Sequence, residues 1–109
     1  MIKRLSFLHR KPGMSHEEFV EYWTTTHAAI AVDLPGLRKY HTSVPLRPEE
    51  APYDGIVELY YDDIAACEAS FDSEVGTRVM EDAAKFIDLD RTERMYVEEI
   101  THVEGPGDG

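Results

Sequence analysis

A chain of 109 residues is one domain, and a domain of that size buries only about two-thirds of its unfolded surface, so a second subunit would add to its stability. Eleven Lys and Arg against twenty-two Asp and Glu leave a formal charge of −11, which excludes nucleic acid and anionic membrane surfaces as electrostatic partners. The single cysteine rules out an intrachain disulfide and fits a reducing cytoplasm; the N-terminal MIKRLSFLHRK has neither the cleavage site of a signal peptide nor the length of a membrane span.

Ile2 to Arg10 reads as a strand. Ile2, Ser6 and Leu8 share one face, interrupted by Arg4, and Leu5, Phe7 and His9 share the other; apolar residues on both sides are expected when both faces of a sheet are covered. Pro12 and Gly13 end that segment. Ser15 and Glu18 then have the spacing of a capping box, which opens an amphipathic helix over Ser15 to Ala31. Phe19, Trp23 and His27 recur at intervals of four along it, with Tyr22 and Ile30 flanking the stripe. Leu34-Pro35-Gly36 closes the exit loop.

Leu37 to Leu46 is a second strand, with Pro45 pointing to an edge position. Arg47 to Gly55 is the loop-like run of charge, proline and glycine, a candidate lid over a site. Ile56 to Tyr61 is a third strand, with Val57, Leu59 and Tyr61 opposed to Ile56, Glu58 and Tyr60. Asp62 is the expected N-cap of a short helix through Ala69, with Ile64, Cys67 and Phe71 inward. A longer helix spans Ser73 to Ile87, striped by Val75, Val79, Ala83 and Phe86 or Ile87. Arg91 to Val103 is the last strand, and residues 105–109 form a breaker-rich tail expected to be flexible.

Strand, helix, two strands, helix, strand is the α+β, ferredoxin-like βαββαβ plan, an antiparallel four-stranded sheet with helices on one face. The uncovered face, apolar on strands one and three, is expected to pack against a second copy, giving a homodimer through sheet faces.

No glycine-rich phosphate loop, paired-cysteine zinc signature or nucleophile elbow is present, and His9, His16, His27, His41 and His102 have no metal-ligand spacing. Neither a metal nor an organic cofactor is expected. What remains is His27, a titratable group where periodicity asks for an apolar one. It is either a core histidine satisfied by backbone or hydroxyl, or an imidazole lining a pocket and poised to move protons near neutral pH. Tyr40 and His41 point to opposite sides of their strand, so one of the two faces the helix, and alternation leaves open which. Trp23, Tyr60 and Tyr61 are core or interface rings, or the walls of a pocket for a flat apolar ring. His9 belongs to the rim or to the pocket. Cys67 is a small buried hydrophobe or a pocket thiol.

The run Leu8-His9-Arg10-Lys11-Pro12-Gly13-Met14-Ser15, followed by Glu18-Phe19, Tyr22-Trp23 and His27, resembles the signature of the EthD family. Leu34-Pro35-Gly36-Leu37 with Tyr40, and Tyr53-Asp54-Gly55 ahead of strand three, extend the resemblance over Ile2 to Glu104, which sets the expected domain at residues 1–104. The family pattern does not specify histidine at positions 9 and 41.

The resemblance implies a dimeric α/β barrel. It also implies kinship with a methylmuconolactone methylisomerase, polyketide cyclases and cofactor-free quinone-forming monooxygenases, whose ligand clefts lie between sheet and helices. On that basis the chain is expected to bind a small hydrophobic, cyclic or polyketide-like carbonyl compound as a cofactor-independent isomerase, cyclase or lyase. His27 would move the proton next to the carbonyl and Tyr40 would hydrogen-bond the developing oxyanion, with Trp23, Phe7, His9, Phe19, Tyr60 and Cys67 around the substrate. The alternatives are a cofactorless monooxygenase and a non-catalytic metabolite-binding protein.

Overall fold

The capping box is formed as its spacing predicts: Glu18 N–H donates to Ser15 Oγ at 3.0 Å and Ser15 N–H donates to the Glu18 carboxylate at 2.8 Å. The computed structural model describes residues 1–106. Its elements in chain order are β1 (Ile2–Leu8), α1 (His16–Tyr22), α2 (Ala28–Ala31), β2 (Lys39–Ser43), β3 (Gly55–Tyr61), α3 (Ile64–Phe71), α4 (Glu74–Ala83) and β4 (Glu93–Glu98). Between α1 and α2 the helix does not stop but widens into a π turn over Trp23–His27. Four-residue spacing oversteps an α-helical turn by about 0.4 residue each time. The wider turn absorbs that drift and keeps Phe19, Trp23, His27 and Ala31 buried together.

The sheet order is β2-β3-β1-β4 and all pairings are antiparallel, a ferredoxin-like α+β fold. Register puts Arg4, Ser6 and Leu8 of β1 on one face with Leu59, Val57 and Gly55 of β3, Tyr40 of β2, and Arg94 and Tyr96 of β4. The helices cover this face: Leu8, Phe19, Trp23, Ala83, Phe86 and Ile87 form one apolar cluster, and Ala31, Leu34, Leu59, Tyr61, Cys67 and Val79 another. The opposite face is free of helices and carries Leu5, Phe7, Ile56, Tyr60, Met95 and Val97 among Lys3, Glu58, Lys39 and His41.

Four local expectations change. Asp63, not Asp62, caps α3, its carboxylate accepting from Ala66 N–H at 2.8 Å; Asp62 instead forms a two-pronged ion pair with Arg38. Ile64 faces solvent, while Cys67 is buried. The second long helix ends at Ala83, and a turn carries Phe86 and Ile87 into the core. The last strand ends at Glu98 rather than Val103. Of the tail expected to be flexible, only residues 105 and 106 are described, and neither lies in a helix or strand; residues 107–109 lie outside the described residues.

Gly55 sits where β3 meets the Trp23 indole. A Cβ there would come within 2.4 Å of the indole ring, a clash that only displacement of the buried tryptophan could relieve. Gly76 stands under the same constraint at the α3–α4 corner, where a Cβ would lie 2.5 Å from backbone atoms of Phe71 and Ser70. Gly55→Ala is expected to destabilise the chain by about 1–3 kcal/mol. Urea unfolding followed by the fluorescence of the lone tryptophan measures this directly, and an unchanged midpoint would show that the indole has room to shift.

Candidate functional site

The π turn presents His27 to α4, where its partner is a residue of the same improbable kind. Asp82 is 4% exposed on the apolar stripe of α4 and His27 is 7% exposed on that of the first helix. His27 Nδ1 lies 2.8 Å from Asp82 Oδ2, and the Tyr22 hydroxyl donates to Asp82 Oδ1 at 2.6 Å. Burial alone would push the Asp82 carboxyl up, but the hydrogen bonds from Tyr22 and His27 outweigh it and hold the group below the ordinary carboxylate range. An ionised carboxylate only accepts, so Nδ1 carries the proton of the neutral ring and Nε2 keeps its lone pair. Phe86 packs against the imidazole at 4.8 Å between centroids and fixes its plane.

Nε2 has no hydrogen-bond partner among the described residues. The sole side-chain polar atom there that is both sealed and unpartnered is Ser6 Oγ, so Nε2 is open to a water-sized visitor. The ring lines a cavity of about 50 Å³ enclosed by Trp23, Ala31 and Leu34 from the first helix and its exit, Val79, Met80 and Ala83 from α4, and Leu8, Val57 and Leu59 from the sheet. Tyr40 enters from β2, which settles the alternation: Tyr40 looks at the helices and His41 lies on the opposite face, edge-on to Tyr60 at 5.7 Å. Burial pushes the Tyr40 hydroxyl up to about 12, so it is protonated and able to donate throughout the neutral range.

One end of the cavity is polar. Arg4, Ser6 and Arg94 line it, and Arg4, Arg94, Phe71 and Met80 also line an open cleft of about 590 Å³ that includes Cys67, Glu68, Asp72 and Tyr96. These four side chains stand between the two spaces and form a partition there, and the cavity is itself partly open. The closed volume holds one or two waters, whereas a benzene-sized ring needs roughly 150 Å³. A ring reaches His27 only when part of that partition moves. Arg94 is exposed and Met80 is unbranched, which makes them the movable parts.

Of the residues singled out in the sequence, the cavity brings together His27, Tyr40 and Trp23. Phe19 stands behind Trp23 and Phe86, at 5.5 and 5.4 Å between ring centroids, as a support. Cys67 lines the outer cleft, and burial pushes its thiol up, away from the thiolate form. Phe7, His9 and Tyr60 do not share the cleft with His27: they lie on the helix-free face, where Tyr53 packs on Phe7 at 4.9 Å and on His9 at 5.2 Å. The Arg47–Gly55 loop follows Tyr53 to that end of the sheet, and none of its residues lines the cavity. Asp82, Ser6, Arg4 and Arg94 are the site residues that sequence reasoning passed over. Each is a polar residue on an apolar stripe or face, the same anomaly that marks His27.

Among the described residues no three His, Cys, Asp or Glu side chains converge as a metal-binding group, and no helix is long and apolar enough to cross a membrane.

Comparison with known proteins agrees with this architecture. An EthD family protein from Bacillus halodurans superposes with a TM-score of 0.76 at 27% identity, over 92% of this chain and 100% of that one. A dimeric protein of unknown function and ferredoxin-like fold from Bacteroides fragilis gives 0.69 at 11% identity, over 90% and 95% of the two chains. A dimeric ferredoxin-like protein of unknown function from Thermobifida fusca gives 0.66 at 18% identity, over 88% and 86%. No curated protein matches the sequence significantly. The EthD domain matches residues 11–90, which takes in the capping box, the π turn with His27, and Asp82; the chain belongs to the EthD family.

Proposed function

We propose that the chain binds a small hydrophobic cyclic or polyketide-like carbonyl compound in the helix–sheet cleft and shifts a proton next to the carbonyl, as a cofactor-independent isomerase, cyclase or lyase. The observation that carries this is the Asp82–His27 hydrogen bond, which leaves a basic nitrogen free beside an apolar cavity. Asp82 is the positioning residue: it holds the tautomer in which Nε2 is the base, and it stabilises the imidazolium once the proton has moved. Tyr40 donates to the oxygen on which negative charge develops, and its raised pKa keeps the proton on the phenol until it is needed. The buried apolar side chains of Trp23 and Leu59 lower the local dielectric, which strengthens both interactions.

The same reading includes a homodimer built by apposing helix-free sheet faces. It is supported by the apolar residues of β1, β3 and β4 on that face, most of them half-buried and Met95 exposed, and by the two solved structures described as dimeric. The buried free thiol of Cys67 suits a reducing cytoplasm.

Deuterium exchange at the α-carbon of butenolides and cyclic β-keto esters, followed by proton NMR in D2O, tests the chemistry. The wild-type chain is expected to accelerate exchange of at least one of these, and His27→Ala to lose about 10²–10⁴-fold of that acceleration. Asp82→Asn, which spoils the tautomer while keeping the shape, is expected to lose a similar factor. Exchange at the buffer rate, with the compound nevertheless bound, identifies a binding protein instead; oxygen uptake without added flavin or metal identifies a monooxygenase. Light scattering at micromolar concentration is expected to give twice the mass of the chain, falling to the single-chain mass in Leu5→Glu on the open face.

A further inference from the structure

Arg4 and Arg94 are placed in a way that the proton-transfer reading does not use. They lie on the helix-covered face of neighbouring strands: Ser6 pairs with Arg94 and Arg4 with Tyr96 in the β1–β4 register, so the three side chains are contiguous. The Arg4 guanidinium stacks on the Phe71 ring at 4.1 Å. Among the described residues no carboxylate lies within ion-pair distance of either arginine; Lys11, Lys39, Arg78 and Arg91 also lack one, but none of those four lines the cavity. Two like charges side by side on adjacent strands repel. Burial, and then Arg94, push Arg4 down to about 10.

Ser6 supplies the second observation. It is 1% exposed, its Oγ has no partner among the described residues, and it lines the cavity between these arginines and Val57. A buried hydroxyl without a partner destabilises the chain until something pairs with it. Two uncompensated guanidiniums and a spare hydroxyl on one wall are the complement of a planar anion, for which arginine forks are shaped.

We propose that Arg4, Arg94 and Ser6 form a carboxylate subsite, so that the ligand of this cleft is a cyclic carboxylate whose anionic end binds at the polar end of the cavity and whose ring extends towards Trp23 and His27. This rests on the cleft assigned above and names the class of ligand it takes. The arginines stand on the partition between cavity and cleft, so an arriving carboxylate meets them first. By drawing Arg94 towards itself it removes the side chain that separates the two spaces.

The test uses sodium benzoate and, as the neutral isostere, benzamide, titrated at constant ionic strength into the nitrogen-15-labelled full chain. Benzoate is expected to shift the Arg4, Ser6 and Arg94 resonances and to bind at least about tenfold more tightly than benzamide. Arg94→Gln, and Arg4→Met with its stem kept over Phe71, are each expected to weaken benzoate about tenfold or more and leave benzamide unchanged. Ser6→Ala is expected to weaken benzoate while raising the thermal midpoint of the free protein, a pairing that a purely structural serine would not show. The benzoate titration reads affinity alone, so the presence or absence of α-carbon exchange bears only on the proton-transfer reading. Benzamide binding as well as benzoate, unchanged benzoate affinity in both arginine variants, or no shift at these three residues at tens of millimolar benzoate would each overturn the subsite, whatever the exchange assay shows.

Discussion

Burying an aspartate or a histidine without a partner costs several kilocalories per mole, and this core buries one of each. Neither helix could keep its polar residue at an apolar position without the other. The hydrogen bond between them joins positions 55 residues apart and ties the π turn to α4. Tyr22, one residue ahead of the π turn, donates to the second oxygen of the same carboxylate. Both lone-pair faces of Asp82 are thus occupied by donors from one neighbouring helix, and the relative rotation of the two helices is set by those bonds as well as by Phe86 packed among them. The widened turn belongs to the same constraint. With α-helical geometry throughout, His27 would rotate away from the line through Phe19 and Trp23, and its Nδ1 would leave Asp82.

Charge pairing elsewhere in the chain makes the cavity wall stand out. On the helix-free face Lys3 is paired with Glu58 and Glu99, and Tyr60 donates to Glu99 at 2.9 Å. At the start of α1, Asp54 gathers Arg10 and His16, and Arg38 binds Asp62 at the far end of β3. These pairs are partly or wholly exposed, and each contributes little to stability. Arg4 and Arg94, like Lys11, Lys39, Arg78 and Arg91, have no carboxylate within ion-pair distance among the described residues, but these two alone line the cavity, with the buried Ser6 hydroxyl beside them.

The fold was legible because the information that specifies it is local and repeated: the capping box at Ser15, alternation in Ile56–Tyr61, and breakers at Pro12-Gly13 and Leu34-Pro35-Gly36. The site was legible only in part. Periodicity of two groups Leu5, Phe7 and His9 together, and Tyr60 with Ile56 and Glu58, but it does not say which group the helices cover. That is settled by the hand of the crossover connections, and so all three aromatic candidates on the wrong group fell on the open face together. Asp62 and Asp63 are equivalent as caps until Arg38 claims the first. The π turn did leave a trace, since buried residues at 19, 23, 27 and 31 keep a strict interval of four that an α-helix does not keep. Asp82 left one too, as a carboxylate within the stripe of Val75, Val79, Ala83 and Phe86. What sequence alone could not supply is that the two anomalies meet.

On the proposed reading, a cavity of about 50 Å³ and a base that reaches a ring carbon are compatible only if the binding-competent state is a more open one. Affinity is then reduced by whatever fraction of molecules is open in the free protein. A ligand recognised by its apolar ring alone would have to wait for that opening, because the ring's contacts form only afterwards. A group recognised on the partition itself gains its contacts before or during the opening, and so shifts the population instead of waiting on it. The partition of this chain is made of two arginines, a methionine and a phenylalanine, and its charged members are the ones without partners. On the proposed reading, charge is recognised at the partition and the basic nitrogen lies deeper in, which separates the two tasks in space. Closure around the ring then returns Nε2 and the Tyr40 hydroxyl to the dry surroundings in which a proton transfer gains most from them.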